Sequence, residues 1–382
     1  MGVYLDYNAS TPIDERVLDK MIDIYRNHFG NADSRTHQFG SSAKNIVENA
    51  RKQLGSLLNI PSELIYFTSG STESNNMAIL GLESYGHETG KHHIITTAIE
   101  HKSILKPCEH LEECGFEVEY VRPHEDGRIH VEDVLNRVRP DTLLVSVMHV
   151  NNETGTIQPV YEIGEALAGK EVYFHIDASQ SCGKLVEELR VQKYDLLSIS
   201  AHKMYGPQGV GALVIKNKNG KKSALKAIMY GGGQEREMRP GTLPVALIGG
   251  IGEAASFLQD EYQNNRKKYE ANRKMILEVL ENSGIKYQIN GDLTLGIDNT
   301  LNISFTDFSS EALMLTLQER ALAGISNGSA CTSQSYAPSY VLQAMGLDNQ
   351  RIACAVRLSW GREAIQRELI SQITKIVKAW QV

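Results

Sequence analysis

The chain has 382 residues, enough for one large domain and a smaller one whose cores need no disulfide staples. Its 39 basic and 46 acidic residues leave a net charge of −7, which excludes a broad polyanion-binding surface, so direct nucleic-acid binding is not expected. Five cysteines, an odd number without CxxC spacing, fit a reducing compartment with one reactive thiol better than a disulfide framework or a metal site. The opening MGVYLDYNASTPIDERV has no basic segment followed by an apolar core, and no apolar run reaches the roughly 20 residues that span a bilayer. A cytoplasmic protein without a membrane anchor is expected.

From about residue 64 to 215, short apolar runs alternate with helical stretches: LIYFTSG, HIITTA, EVEYV, LLVSVMHV, VYFHIDAS, LLSISAH and GALVIK. That alternation predicts an α/β fold with a mainly parallel sheet between helices, and a run apolar throughout, such as Leu143 to Val150, predicts a strand buried on both faces. Ligands of such sheets bind beyond the carboxyl ends of the strands. A long charged helix over 249–282 then leads into a smaller α+β domain, with an alternating strand from Leu301 to Phe305, a helix from Ser310 to Arg320 and an amphipathic closing helix from Gln366 to Trp380. The expected division is a large domain of 16–258 and a small domain of 1–15 with 259–382.

Several residues fall where that rim is expected. Ser69 to Asn76 lies between an apolar strand and a helical pattern beginning near Asn75, and free N–H groups at such a helix start suit a phosphate. An ordinary turn with a Ser/Thr cap accounts for the same residues. Asp177 and Lys203 both end buried strands. A lysine there can form a Schiff base and an aspartate can pair with a pyridinium nitrogen, although a surface lysine and a helix cap are the plainer readings of each alone. His101 can stack on a flat ring and move protons near neutral pH, and Asn152 and Gln180 carry amides able to bond a phenolate or carboxylate. Gly231 to Arg236, continuing through Arg239 to Thr242, combines backbone freedom with basic groups that can approach a phosphate. Cys331 sits in the small polar run Ser326 to Ser333, where nothing apolar would bury it.

Taken in order, the motifs LDYNASTP, FGNADSRTHQFG, FTSGSTESNN, EHKS, HVNNETG, DASQS, SAHKMYGPQGVGAL, GGGQEREMRPGT, GSACTS and VRLSWGR resemble the cysteine desulfurases of the NifS/IscS-like group. These belong to the class V branch of fold-type I pyridoxal 5′-phosphate (PLP) enzymes. The resemblance implies that Lys203 is the Schiff-base lysine, Asp177 the pyridinium partner and His101 the stacking imidazole. It places Gln180 on the ring's O3′ and Asn152 beside the substrate. The phosphate would be held by Ser71, Thr72, Ser200 and His202, with Thr242 supplied by the second subunit of a homodimer. Arg357 would clamp the substrate carboxylate and Cys331 would be the nucleophile. The implied reaction converts L-cysteine to L-alanine with the sulfur held as a persulfide on Cys331, then passed to an acceptor such as an iron–sulfur scaffold protein. Another class V lyase or aminotransferase, for example a selenocysteine lyase, or a non-catalytic sulfur-trafficking platform are the alternatives. Two departures stand out: Ser326-Asn327 replaces the paired serines of many members, and the sequence stops at Val382 without the extended tail that housekeeping members use toward an iron–sulfur scaffold protein, which bears on acceptor docking. The other four cysteines are expected to be packing residues.

Overall fold

The computed structural model describes residues 2–328 and 338–381, so Cys331 lies outside the described residues. Val3–Tyr4 (β1) precedes the strands of the main sheet: Ile65–Thr68 (β2), His93–Thr97 (β3), Glu117–Val121 (β4), Thr142–Met148 (β5), Tyr173–Asp177 (β6), Leu196–Ser200 (β7) and Gly211–Ile215 (β8). Their order is β2-β8-β7-β6-β5-β3-β4, and only β8 runs against its neighbours. The mainly parallel reading therefore holds, and the six co-directional strands end on one side.

Both faces of this sheet are covered, which is why its strands are apolar without alternation. Leu144, Ile94, Tyr173 and Leu196 face one apolar layer with Met77, Ile79 and Leu111 from the helices Ser71–Leu80 and Lys102–Glu113. Val145, Val147, Phe174, Ile176 and Ile199 face the other, with Val47 and Leu54 of Gln38–Leu58 and Ile248 and Leu258 of the long helix Val245–Ser283.

A second core forms around Tyr287–Ile289 (β9), Thr300–Phe305 (β10) and, further on, Ala355–Ser359 (β12), in the order β12-β10-β9, while Ala323–Gly324 (β11) pairs in parallel with β1. Tyr269, Ile276 and Leu280 from the far half of Val245–Ser283 join this core with Ile370, Ile373 and Val377 of the closing helix Arg367–Lys378. One departure from expectation concerns β10, which is buried on both faces rather than alternating. Its polar residues are satisfied internally: Asn302 Nδ2 donates to the Glu153 carbonyl at 3.1 Å and Ser304 Oγ to the Arg351 carbonyl at 2.8 Å. Among the described residues no helix is long and apolar enough to cross a membrane.

Candidate active site

The residues singled out in the sequence gather where β2, β3, β5, β6 and β7 end. Lys203 lies in the short 3-10 turn Ala201–Lys203 directly after β7, and its Nζ donates to the carbonyls of Asn8 and, at 2.8 Å, Ala9. Asp177 is the last residue of β6 and buried. Its Oδ1 accepts from the Ser179 N–H at 2.9 Å and the Ser179 hydroxyl at 2.5 Å, and its Oδ2 from Asn75 Nδ2 at 2.8 Å. A carboxylate oxygen has two lone pairs, so Oδ2 retains one for a protonated ring nitrogen.

His101 caps the helix Lys102–Glu113, its Nδ1 accepting from the Ser103 N–H at 3.1 Å. Burial and the neighbouring Lys203 and Lys102 charges pull its pKa down, against an opposing pull from Asp177. Gln180 Nε2 donates to the Asn8 carbonyl at 2.9 Å, so that carbonyl is shared by Gln180 and Lys203.

The phosphate-binding expectation needs one correction: the helix begins at Ser71, not near Asn75, so Ser71 and Thr72 occupy its first turn, where N–H groups have no partner within the helix. Gly70, just before it, has φ of +151°, and a Cβ there would lie 3.8 Å from Ser200 Oγ, which places Ser200 at the same cradle. The His202 ring, 3.3 Å from Ser10 Oγ, is driven down to about 4 by burial and the Lys203 and Lys184 charges, so it stays neutral. Thr242 is exposed, and among the described residues no hydrogen bond joins it to Ser71, Ser200 or His202 within the chain. The basic residues around it are occupied elsewhere: Arg239 Nε pairs with Glu73 at 2.8 Å, and Arg236 binds the Glu63 carbonyl at 2.7 Å and the Ile65 carbonyl at 2.5 Å. Arg239 braces the cradle through Glu73, whereas Arg236 binds at the start of β2, the strand end away from it, so within the chain neither makes the direct approach to a phosphate read from the sequence.

Arg357, on β12, is buried, with Nη1 donating to the Asn152 carbonyl at 2.8 Å and Nη2 to Asp6 at 2.5 Å. Among the described residues its Nε and the Asn152 Oδ1 are buried without partners, an arrangement that leaves a donor and an acceptor for a bound molecule. With the Asp177 lone pair and the first-turn N–H groups, these atoms match what PLP and an amino-acid substrate present: a pyridinium, a phosphate, a carboxylate and an amine.

Sequence reasoning missed Asp6, Asn8, Ser103 and Lys184 and read Asn75 only as part of the phosphate-side run Ser69 to Asn76; all five orient the groups above. Four lie inside quoted motifs, LDYNASTP, FTSGSTESNN and EHKS, and Lys184 follows DASQS by three positions. Cys108, Cys182 and Cys354 are buried as expected, whereas Cys114 is only half-buried.

Residues 3–370 match the model of the aminotransferase class-V family, so the chain belongs to that family, whose cofactor is pyridoxal 5′-phosphate. Within it, the chain is 44% identical over 381 residues to a cysteine desulfurase IscS from Shewanella loihica, covering 99% of this chain and 93% of the relative. A cysteine desulfurase IscS from Pasteurella multocida is likewise 44% identical, over 97% of this chain and 90% of the relative. Among solved structures, a NifS-like protein superposes with a TM-score of 0.89 at 35% identity, covering 99% of both chains. DndA from Streptomyces lividans superposes at 0.81 with 44% identity, covering 94% of this chain and 99% of that one. SspA in complex with cysteine superposes at 0.81 with 34% identity, covering 95% of this chain and 100% of that one.

Proposed function

We propose that this protein is a PLP-dependent cysteine desulfurase that converts L-cysteine to L-alanine and retains the sulfur as a persulfide on Cys331. The observation that carries this reading is the convergence of Lys203, Asp177, His101 and Arg357 on one rim, in a chain alike from end to end to cysteine desulfurases. When bound, PLP supplies an electron-withdrawing ring that stabilises negative charge at the substrate α-carbon. Asp177 would accept the hydrogen bond of the protonated ring nitrogen, and the first-turn N–H groups and hydroxyls of Ser71 and Thr72, with Ser200 and His202, would hold the phosphate.

The Arg357 guanidinium clamps the L-cysteine carboxylate beside Asn152, and Lys203 Nζ takes the α-proton. The Cys331 thiolate attacks the substrate sulfur, so a sulfur–sulfur bond forms as the carbon–sulfur bond breaks. The bonding electrons stay with the carbon skeleton, which leaves as alanine once protonated, and His101 manages the thiol proton. One cysteine and one thiol become one alanine and one persulfide, with no external oxidant. An acceptor protein in the cytoplasm then takes the sulfur for iron–sulfur cluster assembly or another thio-modification.

The active form is a homodimer in which Thr242 completes the partner's phosphate cradle. Support comes from Thr242's exposure, from exposed Phe29, Phe39 and Tyr230, and from the Gln234 to Asp33 hydrogen bond of 2.7 Å that joins their two segments. The division into 16–258 and 1–15 with 259–382 belongs to the same reading, supported by the separate apolar cores.

The test is alanine and sulfide release from L-cysteine with a reductant, comparing wild type with Cys331→Ala. Release by the wild type alone supports Cys331 as the sulfur carrier. Equal turnover by both overturns the persulfide mechanism in favour of another class V lyase, and no turnover by either favours the non-catalytic platform.

A further inference from the structure

Behind the rim, one hydrogen-bonded chain links two site residues that the reaction uses for different tasks. Asn75 Nδ2 lies 2.8 Å from Asp177 Oδ2 and 2.8 Å from Ser103 Oγ, and Ser103 Oγ lies 2.8 Å from His101 Nδ1. Asn75 and Ser103 are both buried, one from the phosphate-side helix and the other from the helix that His101 caps. Donor counting fixes the direction of the chain. An amide NH2 only donates, so Ser103 Oγ accepts from Asn75 and its own proton is left for His101. The Ser103 backbone N–H also donates to His101 Nδ1, as helix capping demands. Two donors aimed at one ring nitrogen require that nitrogen to carry a lone pair. The other amide atom, Asn75 Oδ1, is buried without a partner among the described residues, so the amide is held by what its nitrogen binds on both sides.

We infer that Asn75 and Ser103 are positioning residues that hold the His101 imidazole as the tautomer protonated at Nε2 and tie that choice to the Asp177 carboxylate. This rests on the desulfurase reading for its purpose: the proton that His101 moves sits on Nε2, and Nδ1 is withheld from the reaction. Because the Asn75 NH2 serves Asp177 and Ser103 together, the state of the ring-nitrogen partner and of the proton-managing imidazole are coupled without direct contact. Among the described residues the charged groups facing His101 are Asp177 at the end of β6, Lys203 after β7, and Lys102 on its own helix, while Glu100, preceding it in the chain, has its carboxyl pushed up to about 8 by burial. Burial and the two lysines disfavour the imidazolium against the opposing pull of Asp177, the net direction being downward, so the Ser103 hydroxyl adds to a preference for the neutral ring.

The test is nitrogen NMR of holoenzyme labelled with 15N-histidine, the His101 signals being assigned by their loss in His101→Gln. The expected wild-type result is a protonated Nε2 and an unprotonated Nδ1. Ser103→Ala removes one of the two donors to the neutral form and leaves the backbone N–H, so the His101 titration midpoint should rise by about one pH unit, the size one hydrogen bond supplies, with Nδ1 still the unprotonated nitrogen of the neutral ring. Ser103→Thr should restore the midpoint, which a merely structural role of the serine would not require. Asn75→Ala should move the midpoint in the same direction and combine non-additively with Ser103→Ala, and it provides the reading if Ser103→Ala does not fold. A proton on Nδ1 in the wild type, or an unmoved midpoint in the folded variants, overturns the inference. Failure to form alanine from L-cysteine with the His101 shifts as expected removes the desulfurase reading while the relay stands.

Discussion

Lys184 Nζ donates to both oxygens of Gln180, the backbone carbonyl at 3.0 Å and Oε1 at 3.4 Å. Holding Oε1 turns the Gln180 NH2 outward to the rim, where it meets the Asn8 carbonyl that Lys203 shares. Lys184 is buried, and that burial, helped by the Lys203 charge, pushes its pKa down to about 7.

Lys184→Met is therefore expected to lower PLP affinity through a misoriented Gln180 while relieving a burial cost. The folded-state pKa is depressed, so between the ordinary lysine value near 10.4 and about 7 the unfolded chain binds more protons, and wild-type stability falls as pH falls. The variant's thermal midpoint should gain on the wild type from pH 10 to pH 7 and change little below. A constant difference across that window would show that Lys184 is not strained by burial.

Lys203→Ala removes the amine that donates to the Asn8 and Ala9 carbonyls. Half-buried and at a strand end, it holds no core together, so the variant should fold, judged by circular dichroism, yet lose the visible absorption of the lysine-bound cofactor. An unchanged visible spectrum would sink the assignment of Lys203.

Arg357→Lys keeps a charge for Asp6 but lacks the guanidinium fork. Losing one charge-assisted hydrogen bond to the substrate carboxylate, at about 1.5–3 kcal/mol, should raise the KM for L-cysteine roughly 10- to 150-fold. An unaltered KM would assign the carboxylate to another group.

Much of this architecture was legible in the sequence because buried parallel strands are apolar throughout and end in polar motifs, so Asp177, Lys203 and His101 could be put on one rim. The helix start was misplaced because Ser71, Thr72 and Glu73 are polar and the apolar pattern begins only after them. Ser103 and Lys184, and the bridging role of Asn75, escaped notice because a hydroxyl, an amide or an ammonium has no periodic signature. Their roles depend on partners up to 102 positions away, as in the Asn75 to Asp177 bond. The basic residues of GGGQEREMR misled for the same reason, since their carbonyl and carboxylate partners lie in distant segments.

Asp14 gathers Arg16, through Nε at 2.8 Å and Nη2 at 2.8 Å, and Arg362, linking the N-terminal segment to the region after β12. The Arg16 hydrogen bonds, aided by Arg362, hold its carboxyl well below the usual range against the effect of burial. A depressed folded pKa gives stability that is present above the unfolded value near 3.9 and lost as pH falls through the folded one. Asp14→Asn should cost roughly 1–3 kcal/mol near pH 7, since Arg16 is partly solvent-screened, and the difference from wild type should shrink below about pH 4. Chemical denaturation at both pH values measures it, and a pH-independent difference would point to lost packing.

The segment at 231–242 owes its course to a buried ion pair. Arg51 donates to Glu235 through Nη2 at 2.7 Å and Nη1 at 2.9 Å, and the Phe67 N–H donates to the same carboxylate at 2.7 Å. Both side chains are almost fully shielded, and Glu235 and Arg236 take φ of 45° and 57°, backbone geometry that other contacts must hold in place. Glu235→Ala strands the Arg51 charge and leaves the Phe67 N–H without its partner, so it should cost about 3–5 kcal/mol. Arg51→Met/Glu235→Ala removes both charges and should recover part of that loss, because an apolar replacement has no desolvation cost. If the single and double variants unfold at the same denaturant concentration, the pair is not what anchors the segment. If the double variant recovers stability yet binds PLP more weakly, the pair serves to place the Thr242 region.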